Sequence, residues 1–338
     1  MDREEIMLRQ LKGQHLLQPV EGLQAAGDLC GFQAQYVSNA LHALRLRSGS
    51  SDSTGLVKSW TLRGTMHIFP ERELPLFLHQ GRSHYLRPCD TMEADEKTGK
   101  ERKAYFARLV LDSVAEGIGE REMLRQRCFA AGMTEREEES LFNPWGGMLR
   151  ALCEEGKLCY KVQEKKEFML CPPFEPMEEK AARLALARRY FCHYGPATIK
   201  DAAYFFGATQ AQVKDWLSEL PVSSAVCEGR TYFTLDEGPV SGSIPDCLFL
   251  AGFDPLMLGY EKKQSIFLPP EYLRGIFSLS GIVMPPVLLR GTVAGRWKRS
   301  GKRLQITAFR PFTPEERRWV KTAAAQLWPE AEVFFPAE

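Results

Sequence analysis

Apolar positions along this chain recur first at helical spacing and then in short alternating runs, and the switch between periods repeats. Between residues 120 and 170, two helical stretches lead into an expected hairpin over 157–162 and 167–170. The polar Gln163-Glu164-Lys165-Lys166 joins its arms. Residues 180–236 repeat the plan. A helix over 181–193 leads to Gly195-Pro196-Ala197-Thr198, with Thr198 placed to cap the next helix. A third helix is expected over 210–219, where Ala211, Val213, Trp216, Leu217 and Leu220 fall at helical spacing. A hairpin over 224–227 and 231–235, turning at Gly229, closes the unit. Residues 15–70 fit the same plan less cleanly. Their best helix is 35–47, with a stripe of Val37, Ala40, Leu41 and Leu44 and a snorkelling Arg45 or Arg47.

Helices followed by a two-stranded wing make the winged helix-turn-helix plan. From residue 241 the pattern changes. Ile244-Pro245, Pro255, Pro269-Pro270 and Pro285-Pro286 punctuate short apolar runs. Strands are expected over 287–291, 292–297, 304–309 and 332–335. A last helix starts at Thr313-Pro314, with Thr313 as cap. The expected fold is α+β and helix-rich: three tandem winged helix-turn-helix units plus a small C-terminal β-rich, barrel-like domain. Units in series suggest a C-shaped chain with a concave face. The expected divisions are 1–88 (first unit), 89–176 (linker helix and second unit), 177–240 (third unit) and 241–338 (C-terminal domain).

With 338 residues the chain can bury several small cores. No apolar stretch approaches the ~18 residues of a membrane span, and the charged start Met1-Asp2-Arg3-Glu4-Glu5 predicts no signal peptide. The nine cysteines form no Cys-x-x-Cys pair and none stands at zinc-ligand spacing with a histidine. They read as reduced, mostly buried thiols of a cytoplasmic protein, and no metal or cofactor is expected.

Net charge is only +1, yet its distribution is uneven. Residues 1–88 carry +2 and 241–338 carry +4, leaving −5 for the middle. Over 290–303 stand Arg290, Arg296, Lys298, Arg299, Lys302 and Arg303 with no acid among them. Such a stripe suits phosphates and equally suits a solvated hairpin.

Five short runs carry a resemblance across nearly the whole chain. They are Gly31-Phe32-Gln33-Ala34-Gln35, Trp60-Thr61-Leu62-Arg63-Gly64-Thr65-Met66-His67-Ile68-Phe69, and Tyr194-Gly195-Pro196-Ala197-Thr198. Phe253-Asp254-Pro255-Leu256-Met257-Leu258-Gly259-Tyr260 and Gly291-Thr292-Val293-Ala294-Gly295-Arg296-Trp297 complete the set. In this order they resemble the AlkZ-like/YcaQ-like family of winged-helix DNA glycosylases, in the branch whose catalytic signature is Gln-x-Gln. The resemblance implies catalytic roles for Gln33 and Gln35 in removing N7-alkylated guanine from double-stranded DNA. It further implies that a basic hairpin approaches the DNA near the lesion.

The implied chemistry suits two amides. An N7-alkylguanine is cationic and leaves readily, through a transition state with oxocarbenium character. A carboxamide oxygen can hold the attacking water and point its negative end at the sugar cation. It takes up no proton near neutral pH, so substrates should be limited to activated, cationic lesions. Residues i and i+2 of a regular helix point about 200° apart. The pair therefore requires Gln33 to lie at or before the helix start, which Gly31 would permit.

Arg63 and His67 are candidate DNA contacts if 60–69 is one strand, because Thr61, Arg63, Thr65 and His67 would then share a face. Arg296, Lys298, Arg299, Lys302 and Arg303 are the candidate contacts of the basic hairpin, whose tip falls at 299–302. Asp254 reads as a turn initiator before Pro255. The acidic run 135–139 reads as the solvated start of a helix, and Trp145 as core. The expected enzyme is a monofunctional DNA N-glycosylase, a monomer with no membrane partner. An open cleft would also admit an interstrand crosslink, which cannot be swung out of the duplex. The alternative is a non-enzymatic tandem winged-helix DNA-binding protein such as a regulator. Against it, 210–219 carries only Lys214 for reading a groove.

Overall fold

The computed structural model describes residues 1–82, 86–235 and 238–336. The chain groups into two compact units, each discontinuous in sequence. One comprises Met1–Gln33, Ser38–Asp52 and Leu184–Glu338; the other comprises Ala34–Val37 and Ser53–Arg183.

The first unit opens with α1 (Arg3–Gly13), started by Asp2, whose side chain accepts from the Glu5 amide. Glu4 and Glu5 in its first turn and Lys12 in its last complement the helix dipole. Helix α2 (Gly22–Asp28) is capped by Glu21. Cys30 and Gly31 then take left-handed backbone, at φ 56° and 81°, and swing the chain into a two-residue strand β1 (Phe32–Gln33). Helix α3 (Val37–Ser48) buries Val37, Ala40, Ala43 and Leu44. Arg47 does not snorkel. It is fully buried, 2.7 and 3.2 Å from the two carboxylate oxygens of Asp254, while Arg45 reaches out to the Leu327 carbonyl.

In the second unit, β2 (Leu56–Trp60) and β3 (Met66–Pro70) pair antiparallel, with Trp60 opposite Met66. The expectation of one strand over 60–69 is corrected. Arg63 and Gly64 both adopt left-handed backbone and reverse the chain in a turn between the two strands. The short α4 (Leu74–Phe77) follows. Helices α5 (Lys100–Ala115), α6 (Arg121–Ala130), α7 (Glu135–Leu141) and α8 (Met148–Glu154) pack Phe106, Val110, Leu124, Leu149 and Leu152 into one core. The hairpin expected from the 157–170 pattern is present as β4 (Leu158–Tyr160) and β5 (Phe168–Leu170). These strands extend the sheet in the order β3-β2-β4-β5, and Glu120 bridges back to Glu167. The acidic run 135–139 does open α7 with Glu135 and Glu139 exposed, and departs from expectation only at Glu137, whereas the expectation for Trp145 fails. Glu137 of the acidic run is buried, held by its own capping box and by Arg102. Trp145 is 77% exposed, its amide tied to the Asn143 side chain in a loop.

The chain returns to the first unit along α9 (Glu179–His193). Thr198 caps α10 (Ile199–Phe206) as expected, reciprocated by Asp201, and Thr209 caps α11 (Gln210–Ser218) with Gln212. The hairpin β6 (Ser223–Cys227) and β7 (Arg230–Thr234) follows, and Ala197 bridges to Phe233. This order of helix, bridge, two helices and hairpin parallels the bridge and hairpin of the second unit.

The C-terminal sheet begins with β8 (Cys247–Phe249), followed by the short helices α12 (Pro255–Leu258) and α13 (Leu273–Ile276). Asp254 caps α12 by accepting from the Leu256 amide, in keeping with a turn initiator. Strands β9 (Pro286–Leu289), β10 (Thr292–Ser300) and β11 (Arg303–Ala308) are antiparallel. After α14 (Pro314–Leu327), β12 (Glu332–Phe334) joins in parallel, giving the order β12-β11-β10-β9-β8. The sheet is an open half-barrel, with Val320 and Ala324 of α14 packed on Val287, Leu304 and Ile306. Among the described residues no helix is long and apolar enough to cross a membrane.

Candidate DNA-processing site

Gln33 lies in a strand and Gln35 in the bend that follows, both ahead of the first helical residue Val37. The opposed directions of helical i and i+2 positions therefore do not apply. Gln33 closes β1 and is 8% exposed. The division into units falls between Gln33 and Ala34. On the second unit's side, the Ala34 amide donates to the Met66 carbonyl at 2.7 Å and pins the backbone beside Gln35 to β3. Gln35 is half-buried, and its side-chain oxygen Oε1 is buried with no hydrogen-bond partner. An amide oxygen held in this way keeps its acceptor capacity for another group.

Arg63 and His67 do not share a strand face. Arg63 sits half-buried in the turn, at φ 57°. His67 is 3% exposed, its Nδ1 lying 2.9 Å from Thr61 Oγ1 and 3.2 Å from the Thr65 carbonyl. The ring thus ties the two ends of the turn together, and burial gives it a bracing position rather than a surface one.

In the first unit, the basic hairpin turns at Gly301, with Ser300 opposite Arg303. Arg296 and Lys298 alternate onto one side of β10, facing Thr307 and Gln305 of β11. Together with Arg299 they line a cavity of about 550 Å³, to which the first turn of α3 adds Ser38 and Asn39. Its aromatic lining is His42, Trp297 and Trp328. The His42 ring stacks on Trp328 at 5.4 Å and meets Trp297 edge-on at 5.1 Å. His42 Nε2 is 2.8 Å from the Phe249 carbonyl, so that nitrogen carries the proton, and burial pushes the ring's pKa down. The ring therefore stays neutral near pH 7. Trp297 is anchored in turn by its indole N–H to the Leu250 carbonyl, at 2.8 Å.

Two of the five expected hairpin contacts are absent from this lining. Lys302 pairs with Glu330, and Arg303 lies over the Phe334 ring. Sequence reasoning missed Ser38, Asn39, His42 and Trp328. The spacing of Ser38, Asn39 and His42 places them on one helical face, a signal that could have found the first three.

A family model described as DNA glycosylase AlkZ-like matches residues 26–328, a span that holds both glutamines and the basic hairpin. The chain belongs to the AlkZ-like DNA glycosylase family. In sequence, this AlkZ-like chain is similar to a Streptomyces sahachiroi protein named interstrand DNA cross-link repair glycosylase. The two are 27% identical, with 87% of this chain and 86% of that protein covered. In fold it is similar to the solved structure of Streptomyces sahachiroi DNA glycosylase AlkZ. The TM-score is 0.75 at 22% identity, over 99% of this chain and 100% of that one. The AlkZ-like fold is thus shared along the full length, the glutamine segment and the C-terminal sheet included.

Proposed function

We propose that this AlkZ-like glycosylase is monofunctional and hydrolyses the N-glycosidic bond of N7-alkylated guanine in double-stranded DNA, releasing the cationic base. The observation that carries the proposal is the non-helical Gln33-Ala34-Gln35 segment with the unpartnered Gln35 oxygen. Both glutamines together would hold the attacking water and stabilise the developing sugar cation, with fixed dipoles in place of a carboxylate. Because no proton is taken up by an amide, the leaving base must already be activated.

Arg296, Lys298 and Arg299 would bind phosphates near the lesion, with Lys302 and Arg303 contacting the backbone at the hairpin's far side. Arg63 would contribute from its turn, which His67 braces. We read α9–β7 as a winged unit, and the divisions 1–88, 89–176, 177–240 and 241–338 as its place among three such units and a C-terminal domain. The name of the Streptomyces relative supports extending the substrate range to interstrand crosslinks.

Selectivity tests the proposal. Duplexes carrying N7-methylguanine, unmodified guanine or uracil are incubated with the protein, and free base and alkali-labile abasic sites are measured. Release of N7-methylguanine alone supports the reading. Equal release of a neutral base overturns the cationic-substrate argument, and binding without any base release would leave a DNA-binding protein.

A further inference from the structure

We propose that His15, Asp28 and His193 bind a divalent first-row metal ion, zinc being the expected occupant, which clamps three helix ends upstream of Gln33. His15 follows the end of α1 by two residues, Asp28 is the last residue of α2, and His193 is the last of α9. One ligand atom from each lies within 4.8 Å of the other two. His15 Nε2 is 2.9 Å from Asp28 Oδ2, and His193 Nε2 is 3.5 Å from Asp28 Oδ1. The side chains are only 12%, 24% and 20% exposed in the order His15, Asp28, His193. Two imidazoles and a carboxylate form a ligand set that suits zinc or cobalt, with water completing the shell.

Two independent observations point to a cation. The first is the orientation of His193. Its Nδ1 is 3.2 Å from the Gly13 carbonyl, which only accepts, so Nδ1 carries the hydrogen. In the neutral ring Nε2 then turns a lone pair toward a carboxylate oxygen, leaving two acceptors face to face. A metal ion between them resolves the conflict, as a second proton on the ring also would. A backbone carbonyl on the far nitrogen is also the usual outer support of a metal-bound histidine.

The second observation is the meeting of helix ends. Gly13 approaches so closely that an added Cβ would lie 2.6 Å from the His193 carbonyl oxygen. Two C-termini, each with partial negative charge, therefore abut, and the Asp28 carboxylate adds to them. Arg189, one turn earlier on α9, donates to the Gly27 carbonyl at 3.0 Å and supplies part of the compensation. His15 itself is left-handed, at φ 58°, a conformation histidine tolerates better than most residues.

The family match begins at residue 26, so His15 lies outside it. A bound ion would fix the end of α2, and with it the turn into Gln33. Tyr194, next to His193, already donates to the Leu29 carbonyl at 2.9 Å in that turn. The site takes no part in the glycosidic chemistry, and its proposal does not depend on that reading.

The test uses the full chain without a polyhistidine tag, stripped by a chelator and titrated with Co²⁺ and then Zn²⁺. One equivalent of Co²⁺ should bind with visible d–d absorption and no thiolate charge-transfer band, be displaced by Zn²⁺, and raise the melting temperature. The absence of thiolate bands separates this site from the nine free cysteines. His15→Asn retains a residue that tolerates left-handed backbone, and should weaken Co²⁺ binding at least about 100-fold, as should Asp28→Asn. Circular dichroism of each variant checks that it is folded. Failure of the wild type to bind saturably, thiolate bands, or unchanged affinity in a folded His15→Asn would each overturn the proposal.

Discussion

Asp254→Asn should destabilise the first unit by about 3–5 kcal/mol, the usual cost of removing one partner from a buried ion pair. The size follows from the surroundings of Arg47. Both side chains of the pair are fully buried, and the guanidinium donates to Asp254 Oδ1 at 2.7 Å and Oδ2 at 3.2 Å. After the substitution Arg47 keeps the Ala43 carbonyl at 3.1 Å, Gln14 Oε1 at 3.4 Å and the uncharged amide oxygen in place of Oδ1, and loses the second carboxylate oxygen. Its charge would then have no buried counter-ion. Asparagine still caps α12 through the Leu256 amide, so the substitution isolates the charge from the cap. Urea unfolding followed by tryptophan fluorescence measures the loss. At roughly 2–4 °C per kcal/mol, the melting temperature should fall by roughly 6–20 °C. Adding Arg47→Met should recover much of that loss, because an apolar side chain replaces the stranded charge. A change below about 1 kcal/mol, or a double variant no more stable than the single, would refute this account of the pair. Below its melting transition, Asp254→Asn should still release base, because Asp254 holds α3 in place rather than meeting substrate.

Two further outcomes follow from charge. Lys58 is 1% exposed, and burial holds its pKa down to about 8 from 10.5. The unfolded chain binds this proton more tightly, so stability should rise with pH between about 8 and 10.5. Lys58→Met should abolish that rise and stabilise the protein near pH 7 by about 3 kcal/mol, as read by urea unfolding at several pH values. An unchanged pH slope would show that the ammonium is well solvated. At the basic hairpin, Lys298→Ala and Arg299→Ala should each reduce the slope of log affinity against log salt by about 0.9, whatever the DNA sequence. Fluorescence anisotropy with a labelled duplex measures it, and a slope equal to the wild type's would remove these residues from the phosphate contacts.

Local devices were readable in the sequence. Thr198 and Thr313 mark helix starts by their own chemistry, and the structure uses both as caps. The hairpins at 157–170 and 223–234 were evident because polar or glycine-containing turns separate short β-prone runs. Left-handed backbone at a non-glycine residue was not evident. Arg63 adopts it and breaks the expected strand 60–69, which separates Arg63 from His67. Long-range pairing was equally hidden. Arg47 and Asp254 are 207 positions apart, and nothing local marks Arg47 as buried rather than snorkelling. A still longer separation in sequence concealed the joining of Ser38, Asn39 and His42 with Arg296, Lys298 and Arg299 around one cavity. The Gln33 and Gln35 motif was legible. Its release from the helix depends on the turn at Cys30 and Gly31 and on the hydrogen bond from Ala34 to Met66.

Single-turnover release of N7-methylguanine from a duplex, measured beside DNA affinity for wild type, Gln33→Ala and Gln35→Ala, tests the role of the two amides most directly. Each variant should lose about 10²–10³ in rate, the loss typical of one missing fixed dipole, while binding DNA as tightly as the wild type. Because the amides act on one transition state, the double variant should lose less than the product of the single losses. Wild-type release rates in either variant, or losses fully explained by weaker DNA binding, would contradict catalysis by the glutamine pair.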